Sequence, residues 1–190
     1  MILESAMLLD SKRAQLLVVD VQERLFPHID DAGTVRSNIE VLVTAALEMD
    51  IPVTLSEQYP KGLGPTIEPL MKYLGDVPRF EKMHFSCAVD PEILRRVRHL
   101  ETASNRDQIV VVGIEAHVCV LQSALGFRGG GHHVAVVADG VGSRQPASRE
   151  RALDRMAHAG IEIVTTEMVL FEWMHKAGTD QFRSLSKLIK

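Results

Sequence analysis

The sequence predicts a three-layer α/β/α protein built on a doubly wound, mostly parallel, six-stranded sheet. Segments of strand type and helix type alternate from end to end, the pattern of a parallel sheet covered by helices on both faces. Leu16-Leu17-Val18-Val19 and Ile109-Val110-Val111-Val112 are unbroken apolar runs, as expected of strands buried on both sides. No repeat, low-complexity tract or long linker divides the 190 residues, so a single domain spans 1–190.

The elements follow in order. Residues 14–20 read as a first strand ending in Asp20, and Val35, Ile39, Leu42, Val43, Ala46 and Leu47 recur at helical spacing. Residues 52–56 form a second strand, and 58–65, rich in Pro and Gly, read as a loop. A third strand spans Arg79 to Phe85. Asp90-Pro91 starts a helix with Asp as N-cap and Pro at the first helical position. Gln108 to Val112 is the fourth strand; the helix after it begins near Cys119 and stops at Gly129-Gly130-Gly131. His133 to Val137 is the fifth strand, Ser148 caps a helix running to His158, and residues 161–164 are the sixth. An amphipathic helix runs from Thr166 to Trp173.

Composition narrows the function. Net charge is −4, which offers nothing to nucleic acid or an anionic membrane. The apolar runs are too short to span a bilayer, and the first ten residues lack the basic and long apolar regions of a signal peptide. Two cysteines form no disulfide framework, so free thiols in a reducing cytoplasm are expected.

Cys119 falls at the carboxyl end of a central strand, where open α/β sheets bind ligands. A helix start there favours a thiolate over a thiol; a buried core cysteine is the competing reading. Asp20 closes the first strand and Lys82 lies near the end of the third. If the first and fourth strands are neighbours at the switch point, Asp20 and Cys119 face one crevice. Asp20 then takes the thiol proton while Lys82 holds the aspartate. The alternatives are a loop-capping aspartate and a solvated lysine.

Three ordered motifs resemble the isochorismatase-like cysteine hydrolases, a superfamily that includes the nicotinamidases. They are Val18-Val19-Asp20-Val21-Gln22, Glu81-Lys82, and Gly113-Ile114-Glu115-Ala116-His117-Val118-Cys119-Val120. Matching stretches at 138–144 and 159–168 extend the resemblance over most of the chain. The loop 57–64 is similar to that of the branch of isochorismatase-domain-containing proteins. The resemblance implies a Rossmann-like fold, Asp20 as general base, Lys82 as its electrostatic partner and Cys119 as nucleophile. It also implies a cis peptide at Ile114–Glu115 and an oxyanion hole from the backbone N–H groups of Glu115 and Cys119. Each such donor is typically worth about 3–4 kcal/mol. The implied reaction is attack on an amide carbonyl, loss of ammonia or amine, and thioester hydrolysis. Self-association as a dimer or larger ring is also implied.

Nicotinamidases carry an Asp and two His after the second strand, whereas this chain has Ser56-Glu57-Gln58-Tyr59-Pro60-Lys61-Gly62. No metal and no cofactor are therefore expected, and nicotinamide is disfavoured as substrate. His132 and His133 are neighbours on a strand start, pointing to opposite faces, so they share no metal. Gln22, Phe26, Tyr59, His84, Phe85 and His117 are the candidate pocket residues for a small-molecule substrate; His117 is either pocket lining or a helix cap. Cys87 reads as structural and Asp139 as a turn cap. Cysteine at position 119 favours amide chemistry over the vinyl-ether hydrolysis of isochorismate enzymes. A non-catalytic interaction protein that retains the fold is the alternative of a different class.

Overall fold

The computed structural model describes residues 8–189. Six strands form one all-parallel sheet: β1 (Ala14–Val19), β2 (Val53–Gln58), β3 (Arg79–Lys82), β4 (Gln108–Ile114), β5 (His133–Gly142) and β6 (Glu162–Val164), in the order β3-β2-β1-β4-β5-β6. The chain order reverses between β1 and β4. That is the switch point, and it opens a crevice at the strands' carboxyl ends.

Alternation along the strands builds the three layers. Leu16, Val18, Val53, Leu55, Val110, Val112, Ala135 and Val137 face α1 (Ala32–Glu48), α3 (Glu68–Leu74), α7 (Thr166–Met174) and α8 (Asp180–Leu185). Leu17, Val19, Ile109, Val111, Val134 and Val136 face α4 (Pro91–Ser104), α5 (Leu121–Gly129) and α6 (Pro146–His158). Successive strand residues point to opposite sides, so one hydrophobic run feeds two cores.

Several boundaries differ from the sequence reading. The loop at 58–65 contains a short helix, α2 (Pro60–Leu63), and neither α3 nor α8 is signalled by the chain's periodicity. Strand β3 stops at Lys82 rather than Phe85, because the backbone there turns away to form the lysine's pocket. Ser148 is not a cap: Gln145 precedes Pro146, and proline's fixed φ suits the first helical position. Strand β5 continues to Gly142 through a register shift opposite Val111 to Gly113. Asp90 caps α4 as expected, accepting from the N–H groups of Glu92 and Ile93. Asp139 accepts from the N–H and hydroxyl of Thr166, at 2.8 and 3.0 Å, and so caps the start of α7.

Gly113 decides how closely β4 approaches β1. Its φ is +125°, and a Cβ there would lie 2.1 Å from the Val19 carbonyl oxygen. Only glycine satisfies both demands. The contact sits one residue before Asp20 and six before Cys119, at the crevice floor.

Candidate active site

Asp20 follows β1 with φ +53° and is fully buried. Its backbone N–H is tied to the Ser56 carbonyl at 3.1 Å. Both carboxylate oxygens hold a fixed donor: Ser56 Oγ donates to Oδ1 at 2.7 Å, and Lys82 Nζ donates to Oδ2 at 2.7 Å. Lys82, the last residue of β3, spends its other two protons on Gln58 Oε1 at 2.7 Å and the Phe85 carbonyl at 3.1 Å. Burial pulls the Lys82 pKa down, but the negative groups around it, Asp20 first, outweigh that and leave it above the ordinary value. Lys82 is therefore a buried, fully coordinated cation.

Cys119 lies in a π-helical turn, Ala116–Val120, between β4 and α5, and is 5% exposed. Asp20 is the strongest charged influence on its thiol. Burial, and then the charge on Asp20, push the thiol well above its usual range; Lys82 opposes this only in part. Both effects, burial first, oppose the thiolate that a helix start favours.

The turn is fixed from behind by Ser123. Its Oγ donates to the Cys119 carbonyl at 2.6 Å and accepts from the Cys87 N–H at 2.8 Å. Cys87 is fully buried, and its thiol donates to Ser56 Oγ at 3.6 Å. Burial raises its pKa to about 11.

The Ile114–Glu115 peptide is cis. The Glu115 side chain pairs with Arg144, whose Nε donates at 2.9 Å and whose Nη2 also bonds it. Burial raises the Glu115 pKa, yet the Arg144 hydrogen bonds and charge bring the balance below the ordinary carboxylate value. His117 Nδ1 sits 2.9 Å from Ser143 Oγ, half-buried beside this pair.

The structure brings Asp20, Lys82 and Cys119 together but scatters the candidate pocket residues. Gln22 is fully buried. Its amide donates to the carbonyls of Gln58 and Gly64 and accepts from the Gln58 N–H, strapping the 58–64 segment to β1. Phe26 packs against the core on the α1 face. His84 and Phe85 are exposed, and Phe85 serves the site through its carbonyl. Tyr59 is half exposed and lines a recess of about 410 Å³ with Lys61, Glu81 and Met83 beside Lys82. Sequence reasoning missed Ser56, Gln58 and Ser123. The signal for Ser56 is its register against Val19, legible only once β1 and β2 are paired. Among the described residues, no group of three or more His, Cys, Asp or Glu side chains is arranged to hold a metal.

Fold and site together define a doubly wound α/β protein with a thiol, a carboxylate and an ammonium group gathered at its switch point. The isochorismatase domain family matches residues 14–168, and the chain belongs to that family. The secreted isochorismatase effector of Phytophthora sojae is 38% identical over 92% of this chain and 83% of its own length. Isochorismatase domain-containing protein 1 of Danio rerio is 37% identical over 90% of this chain and 59% of its own. Among solved structures, the MAR1 ribonuclease of Caenorhabditis elegans superposes with a TM-score of 0.88 at 32% identity, covering 96% of this chain and 92% of that one. The YcaC gene product of Escherichia coli, described as an octameric hydrolase of unknown specificity, also gives 0.88, at 26% identity over 96% and 89%.

Proposed function

We propose that this isochorismatase-family chain is a cysteine hydrolase that cleaves the C–N bond of a small amide. The observation that carries this reading is a buried carboxylate, Asp20, held by Lys82 and Ser56, whose charge acts on the Cys119 thiol. Asp20 takes the Sγ proton as sulfur attacks the carbonyl carbon. The backbone N–H groups of Glu115 and Cys119 receive the oxyanion. Asp20 returns the proton to the departing nitrogen, leaving a thioester on Cys119. Water, deprotonated by Asp20, then attacks the thioester, releasing the carboxylic acid and restoring the thiol. Lys82 supplies the counter-charge to Asp20 in a dry site, where an unpaired carboxylate is costly.

A phosphodiester reading, suggested by the ribonuclease name of the nematode relative, fits these residues less well. Every Lys82 proton is already committed within the protein, so no free cation remains in this group to meet a phosphate. Vinyl-ether hydrolysis gives no role to the thiol. Among the described residues no helix is long and apolar enough to cross a membrane. Two free cysteines support the proposed location in a reducing cytoplasm. The octameric hydrolase relative supports self-association of this chain.

The test is ammonia or amine release from a panel of small amides by wild type and Cys119→Ala. Turnover that survives undiminished in Cys119→Ala refutes the reading.

A further inference from the structure

Ser56 sits behind Asp20, fully buried, and holds one oxygen of the base at 2.7 Å. A serine hydroxyl has a single proton to give. The Cys87 thiol donates to Ser56 Oγ, so the direction of the chain is fixed: Cys87 to Ser56, and Ser56 to Asp20. The ionisable groups facing Asp20 are Lys82 from β3, Cys87 from the turn after it and Cys119 from the turn after β4. Lys82 supplies charge to one oxygen. Ser56 supplies a neutral donor to the other, on the side away from solvent.

With Asp20 read as the base for Cys119, the two share one proton, giving two singly protonated forms: thiol with carboxylate, and thiolate with carboxylic acid. A donor to the charged carboxylate stabilises only the first. We infer that Ser56 is a positioning residue that, acting through Asp20, keeps the shared proton on Cys119 sulfur until substrate arrives. The inference rests on the reading of Asp20 as the base for Cys119.

Alkylation of Cys119 by iodoacetamide tests this without knowledge of the substrate. The rate is followed from acid to mildly alkaline pH on the intact protein, with the adduct located by peptide mass spectrometry. Hydrogen bonds to charged groups have the strength to make Ser56→Ala raise the neutral-pH rate about tenfold. The same factor must appear as a rise of about one pH unit in the acid-side midpoint, while the rate at the acid extreme stays unchanged, because the lost donor acts only on the charged carboxylate. A uniform change at every pH, or none, overturns the inference, since loosened packing alone does not couple plateau to midpoint. Ser56→Cys keeps a weaker donor and the shape of the site. If the alanine variant does not fold, a smaller rise with the same direction of midpoint shift in Ser56→Cys supports the proposal, and an unmoved midpoint overturns it. Asp20→Asn separates the two layers of the argument. If its profile keeps the wild-type acid step, the base reading itself fails; if the step is lost but Ser56 variants match wild type, only the role of Ser56 fails.

Discussion

Replacing Lys82 with methionine preserves the stem of the side chain and removes only the charge. In the wild type, Nζ lies 2.7 Å from Asp20 Oδ2 and both side chains are 0% exposed. At an effective dielectric constant of 20, that separation corresponds to an attraction of about 6 kcal/mol before desolvation is subtracted. Breaking a buried pair from one side typically costs about 3–5 kcal/mol, because the remaining charge loses its partner. For a chain of this size that is a fall in melting temperature of about 6–20 °C. The sign of the pH dependence follows from the stranded group. A carboxylate without its counter-charge in a dry site holds its proton more tightly in the folded variant than in the unfolded chain. Such a group contributes stability below the unfolded value, near pH 4, that is lost as pH rises. The gap between Lys82→Met and wild type should therefore be small at about pH 4 and largest at neutral pH. Urea unfolding at both ends of that range measures it. Adding Asp20→Asn should recover most of the loss. A Lys82→Met protein as stable as wild type at neutral pH would show that the pair is not the electrostatic anchor described here.

Gly113→Ala should destabilise by more than the ~1–3 kcal/mol of backbone strain alone, because its Cβ meets the Val19 carbonyl at 2.1 Å; thermal unfolding measures it, and a melting temperature equal to wild type would contradict the close approach of β4 to β1. Ser123→Ala strands the buried Cys87 N–H, at a cost of about 1–3 kcal/mol in a urea titration. The Arg13 hydrogen bond, first among several causes, holds the partly exposed Asp107 carboxyl below its usual value. Its contribution is present above the unfolded value near pH 4 and lost as pH falls through the folded one, so Arg13→Ala should flatten the acid loss of stability by at most about 1 kcal/mol. In native protein at neutral pH, iodoacetamide should leave Cys87 unlabelled, since its thiol is fully buried with a pKa of about 11; labelling at Cys87 before unfolding would contradict that burial.

The layers were legible because parallel strands advertise themselves. The Val and Ile runs of β1 and β4 are buried on both faces and need no tertiary context to be recognised. Strand ends single out Asp20, Lys82 and Cys119 as candidates, and only the family resemblance assigns them roles. What escaped depends on pairing between distant segments. Gln22 reads as a pocket residue two positions after Asp20, yet its amide is wholly consumed by the backbone at Gln58 and Gly64. Ser56 reads as an ordinary strand residue until β1 and β2 are set in register. The thiol's electrostatics are hidden for the same reason: a helix start is visible in sequence, whereas the burial and the carboxylate that oppose a thiolate come from tertiary packing. The short helices α2, α3 and α8, of four, seven and six residues, are too brief for apolar periodicity to mark them.

The central claim is that Cys119 forms a covalent acyl intermediate. Mixing the protein with small amides, quenching in acid and mapping peptides by mass spectrometry tests it directly. The account predicts the acyl mass on the Cys119 peptide of the wild type, and none on the same peptide in Cys119→Ala. An amide hydrolysed at full rate with no acyl mass on Cys119, and with Cys119→Ala equally active, would contradict it.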